Sequence, residues 1–143
     1  VARPDLHTGT GPGRVVVAVY AVLALAATGR SILQITNYFD RAPLAYCLSA
    51  LAAVIYIVAT TALAKGGERA ARVATTAIVV EAIGVLSVGA LSYLVPELFP
   101  DKTVWSHFGS GYGFMPLVLP FVGLWWIHRV RRRAGETPPS PEY

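Results

Sequence analysis

Three long apolar stretches constrain this chain more than any other feature. They run from about Val15 to Ile35, Ala42 to Ala64 and Val73 to Val95. A helix rises about 1.5 Å per residue, so some 20 residues cross a hydrocarbon core of about 30 Å, and each stretch is long enough to do so. A fourth, from about Phe114 to Ile127, is shorter and needs the Gly109–Gly113 segment or a locally thin bilayer to span. Backbone groups in lipid must be bonded within the protein, and no ten-residue alternation suggests a barrel. The expected fold is all-α: one polytopic domain forming a four-transmembrane-helix bundle. Its helices fall at about 15–37, 42–64, 73–95 and 112–130, after a cytoplasmic segment 1–14 and before a basic, then Pro-rich tail 131–143.

Charge supports that reading. Only 14% of residues are charged and 55% are hydrophobic, against about 25% charged in a soluble domain. Arg3 and Arg14 precede the first stretch, Lys65, Arg69 and Arg72 lie between the second and third, and "HRVRRR" follows the fourth. The other two connections hold Asp40 and Arg41, then Glu97, Asp101 and Lys102. Positive residues favour the cytoplasmic side, so both termini and the middle loop are expected there, in a multi-pass protein of the cell membrane. The basic residues flank apolar runs and form no nucleic-acid-reading motif, so nucleic acid is not expected as a partner. Ala24 and Ala26 have the spacing of a signal-peptide cleavage site, but the apolar pattern continues through Ile32, Leu33 and Ile35. Cys47 has no metal-ligand spacing and reads as a small core residue.

The polar residues inside the stretches are the candidate site. Glu81 lies nine residues beyond Arg72, about 13–14 Å deep and close to the midplane. An acid there costs roughly 2.5–3.5 kcal/mol on insertion scales and should face protein or water. Ala74, Ala77, Gly84 and Val88 share its face, and Ala45, Ser49, Ala52, Tyr56 and Ala59 form a matching face on the second stretch. Small residues permit close helix packing. A hydrogen bond from Tyr56 to Glu81 is therefore expected, and burial without a cation favours the neutral acid. Arg30, Gln34 and Asn37 form a polar stripe on the first helix, pointing toward Asp40, Glu97 and Asp101 at the outer edge. A direct Arg30–Glu81 pair is the alternative, across about 10 Å of axial offset.

The connection "VPELFPDKTVWSHFGSGYGFMPLVLP" is long for so small a protein. Asp101 can start a short helix that lays Val104, Trp105 and Phe108 on the membrane surface, leaving Trp105, Phe108 and Tyr112 as outer interface residues. "GSGYG" then breaks it. Ser106 and His107 have no placed acid to complete a triad. Pro116 falls in or near the first turn of the fourth helix, and Pro120 is expected to kink it. The histidines lie at membrane edges or outside the apolar stretches, so neither haem nor a metal is expected.

The segments "YFDRAPLAYCLSALAAVIYIVAT" and "PELFPDKTVWSHFGSGYGFMPLVLP" resemble small integral membrane proteins of actinobacteria that carry no assigned function. The resemblance covers most of residues 30–128 and implies a four-helix membrane fold. Small multidrug-resistance transporters are similar in size and in having one membrane carboxylate, but theirs lies in the first helix and this one in the third. Two functions are consistent with these features. One is a non-enzymatic accessory or scaffolding subunit, in contact with the lipid bilayer and with other membrane subunits or copies of itself. The other is an oligomeric proton-coupled transporter with Glu81 as carrier.

Overall fold

The computed structural model describes residues 7–136. Four long helices dominate: α1 (Gly13–Tyr38), α2 (Pro43–Lys65), α3 (Glu68–Leu94) and α4 (Met115–Glu136). The first three are each long and apolar enough to cross a membrane. α4 qualifies only together with the short 3-10 segment Ser106–Tyr112, from which it is bent by 93°. The sequence places the end of the fourth helix near residue 130, but the helix continues through the arginines to Glu136. It also runs through Pro120 as one helix. The Pro-rich end of the expected tail, residues 137–143, lies outside the described residues, as do residues 1–6.

Each helix packs on its neighbour in sequence, and α4 returns to touch α1. The seams are built from small residues: Ala27, Ala45, Ala52, Ala59, Ala71 and Ala74 have no exposed surface. Side chains no larger than a methyl let the backbones approach closely, which is how helices associate where apolar burial alone gives little drive. The outward faces are large and apolar, with Val22, Leu25, Leu33, Ile83 and Leu94 all more than half exposed. Cys47 belongs to this outer surface, which corrects its reading as a core residue. Its neighbours Ala45, Tyr46 and Ser49 take the inward positions on that turn of α2.

Five threonine hydroxyls within the helices are satisfied locally, whereas Thr28 and Ser31 of α1 are buried without a partner. Thr36, Thr60, Thr61, Thr75 and Thr76 each donate to the carbonyl four residues earlier, at 2.6–3.0 Å. A threonine can thus face hydrocarbon without an orphaned donor.

The helix ends gather the charges onto one face. Thr8 donates to the Leu63 carbonyl at 2.5 Å, and the Trp126 indole N–H donates to the Thr8 carbonyl at 2.8 Å. Glu68 at the start of α3 pairs with Arg72 at 3.7 Å and Arg131 at 3.6 Å. The start of α1, the α2–α3 turn and the end of α4 therefore share one end of the bundle, which carries Arg14, Lys65, Arg69, Arg72 and the α4 arginines.

Candidate functional site

Glu81 is fully buried near the middle of α3. Its hydrogen bond comes from α1, not α2: the Tyr20 hydroxyl donates to Glu81 Oε2 at 3.2 Å. Tyr56, the partner expected from the sequence, is also fully buried, and its ring lies 6.3 Å from that of Tyr20. Its hydroxyl instead accepts the indole N–H of Trp105 at 2.9 Å. The expected Tyr56–Glu81 bond is thus replaced by two bonds, Tyr20–Glu81 and Trp105–Tyr56. The other carboxyl oxygen, Glu81 Oε1, is buried with no hydrogen-bond partner.

Trp105 overturns the surface reading of the outer loop. The indole is 2% exposed and fills a slot over Gly84, where an added Cβ would meet ring carbons at 2.7 Å. Gly84 is ten residues before the end of α3, so the ring sits about 15 Å below the outer end of that helix. No helix starts at Asp101, whose carboxylate accepts the Tyr46 hydroxyl at 2.7 Å and pins the loop to α2. The connection between α3 and α4 thus packs into the bundle from the end opposite the basic one, and α4 leaves the 3-10 segment Ser106–Tyr112 at 93°.

Such backbone is tolerated at depth only where protein satisfies it. Side chains do this almost residue by residue. Ser106 Oγ accepts from Thr103 N–H at 2.8 Å, Ser49 Oγ from Val104 N–H at 3.3 Å, Thr103 Oγ1 from Trp105 N–H at 3.0 Å, and Ser92 Oγ from His107 N–H at 2.8 Å. His107, Phe108 and Gly109 are all left-handed, with φ of 53°, 59° and 81°. For the first two this conformation costs on the order of 1–3 kcal/mol each. The Ser92 bond and the seating of Phe108 hold them in it. Phe108, half-buried, lies over Gly89 and beside Tyr93, their ring centroids 5.9 Å apart.

The polar stripe of α1 turns away from Glu81. Arg30 donates to the Lys102 carbonyl at 3.0 Å and to the Tyr112 hydroxyl at 3.4 Å. It makes no ion pair with Glu81 or with the outer acids among the described residues, so Arg30 reaches outward but to loop acceptors. Tyr112 is accordingly half-buried as an Arg30 partner. Gln34 Oε1 is buried without a partner, and Asn37 is exposed and bonds back to the Leu33 carbonyl at 3.1 Å. The structure therefore joins Glu81, Tyr20, Tyr56 and Trp105 into one buried cluster and leaves Arg30, Gln34 and Asn37 outside it.

Tyr20 is the member that sequence reasoning missed. Its signal was present: Val16, Tyr20, Leu23, Ala27 and Ser31 recur at helical spacing and form the buried face of α1. Among the described residues no three His, Cys, Asp or Glu side chains converge. No protein-family model, curated protein or solved structure matches this chain.

Proposed function

We propose that this chain is a small non-catalytic subunit or scaffold of a larger assembly in the cytoplasmic membrane. In this reading it has four spans, α4 being completed by the re-entrant segment, with both termini and the basic end of the bundle on the cytoplasmic side. The observation that carries it is the sealing of Glu81. The one acid at mid-membrane has no exposed surface, is held by Tyr20, and lies in a core closed from the outer side by the loop that seats Trp105. A buried polar pair of this kind is suited to fixing the register of α1 against α3 within the bundle. The large outward apolar faces suit lipid and neighbouring membrane subunits alike. The test is affinity purification of the tagged chain from its native membrane in mild detergent, followed by mass analysis of the intact complex. A stoichiometric larger partner supports the subunit, and a homo-oligomer alone overturns it.

A second reading is favoured by one atom. Glu81 Oε1 has an unfilled bonding position inside the bundle, which suits a carboxyl that gains and loses a proton during transport. In this reading the chain is an oligomeric proton-coupled transporter. Glu81→Gln in proteoliposomes then abolishes proton flux, whereas wild-type protein that passes no protons overturns it.

A further inference from the structure

The outer flank of α2 and α3, away from the Glu81 cluster, carries two joined clefts. The larger, about 820 Å³, lies at the basic end and is lined by Ile57, Val58, Thr61 and Val73, with Lys65 and Arg69 at its mouth. The second, about 410 Å³, shares Val58 and Val73 and continues down to Val54 and Val80. Together they form one groove along the helix pair. From Lys65 to Val54 is eleven residues of α2, or about 16 Å of rise. That matches one leaflet, half of a hydrocarbon core of about 30 Å.

The mouth is cationic and uncommitted. Glu68, the acid in this cleft, is engaged by Arg72 and Arg131. Lys65 and Arg69 are exposed and make no ion pair or side-chain hydrogen bond among the described residues. The turn between the helices is Gly66–Gly67, with φ of 71° and 91°. Glycine adopts this conformation without strain, and at Gly67 an added Cβ would meet nothing within 4 Å. The chain therefore reverses direction without placing a side chain across the entrance.

We propose that this groove binds one anionic phospholipid, an acyl chain lying along Val58 and Val73 and its phosphate between Lys65 and Arg69. Apolar length with cationic charge at one end is the complement of such a lipid. A second copy of the chain fits less well. A two-fold contact through this face would bring Lys65 and Arg69 of both copies together, and like charges there repel.

The test is native mass spectrometry of the delipidated protein, titrated separately with dioleoylphosphatidylglycerol, dioleoylphosphatidylcholine and glycerol phosphate. The expected result is one tightly retained phosphatidylglycerol, with weaker phosphatidylcholine binding and none of glycerol phosphate. Each basic residue near a membrane surface contributes about fivefold, so Lys65→Gln with Arg69→Gln should weaken that first lipid by about twenty-five-fold. Val58→Trp should remove it with both cations intact. Arg132→Gln with Arg133→Gln should leave it in place, and circular dichroism confirms that each variant keeps its helices. Equal binding of the two lipids overturns the proposal, as does a first lipid indifferent to both groove variants. Tight binding of glycerol phosphate would reduce the site to a phosphate site, and a dimer broken by Val58→Trp would give the groove to a second copy. Either outcome overturns it.

Discussion

Trp105 and Gly84 should behave as one unit, and a double-mutant cycle measures this. Removing the indole by Trp105→Ala deletes a nearly fully buried ring and its bond to Tyr56. Large-to-small changes of this kind cost about 3–5 kcal/mol, of which the hydrogen bond supplies about 1 kcal/mol. Gly84→Ala alone should also destabilise. Its new methyl would stand 2.7 Å from two ring carbons, well inside the optimal carbon–carbon separation of about 3.5–4.0 Å, and overpacking costs about 1–3 kcal/mol. In the Trp105→Ala background the slot is empty, and the same substitution should change sign. Alanine within a helix is then favoured over glycine by about 0.5–1 kcal/mol. The coupling should therefore reach about 1.5–4 kcal/mol. Equilibrium unfolding in mixed micelles, followed by far-ultraviolet circular dichroism, gives all four corners. Additivity within about 0.5 kcal/mol, or a Trp105→Ala cost no larger than that of a surface change, would return the indole to the membrane surface and refute the inserted loop.

Other substitutions separate the remaining contacts. Tyr20→Phe and Glu81→Gln should be coupled by about 0.6 kcal/mol and at most about 1.7 kcal/mol, the range for interhelical hydrogen bonds in membranes, whereas Tyr56→Phe and Glu81→Gln should be additive; the reverse pattern in the same unfolding assay would restore the bond expected from sequence. In a Cys47→Ser background, Arg69→Cys and Ser110→Cys should react with an impermeant maleimide from opposite sides of sealed vesicles, Arg69→Cys from the cytoplasmic side, and labelling of both from one side would break the four-span topology. Glu68→Gln removes its ion pairs with Arg72 and Arg131 at the basic end, yet its half-exposed setting limits the loss to under about 1 kcal/mol, fading as salt is raised; a larger, salt-independent loss would mean that Glu68 is tied more firmly than its separations from Arg72 and Arg131 suggest.

The three long apolar helices and the clustering of basic residues at one end were legible because each rests on a one-dimensional property of the chain. Twenty apolar residues have few other uses, and arginine beside them marks an edge. The small-residue faces were legible too: Ala45, Ser49, Ala52, Tyr56 and Ala59 are all buried, as are Ala74, Ala77, Glu81 and Val88. What periodicity does not carry is which buried face meets which. Tyr56 and Tyr20 both turn inward, and the choice between them for Glu81 depends on the rotation of α1 against α3, a three-dimensional quantity. The outer loop was misread for a related reason. Tryptophan beside a membrane edge suits an interface as well as it suits a core. The deciding features lie far back in the chain, in Gly84 and Gly89, which leave the slots that Trp105 and Phe108 occupy. Glu81 itself stood out from the sequence, but its sealing required the loop.

The placement of the three tryptophans makes the molecule its own optical gauge. Trp125 is half-exposed and Trp126 buried beside it at the basic end, while Trp105 emits from the opposite half, bonded to a tyrosine and shielded by helices. A quencher confined to headgroups on the basic side should dim Trp125 and spare Trp105. Withdrawal of the loop would expose the Trp105 indole to water, shifting its emission to the red and ending its contact with Tyr56. Whatever partner, lipid or proton acts on this protein, the position of the loop can be followed without adding a label.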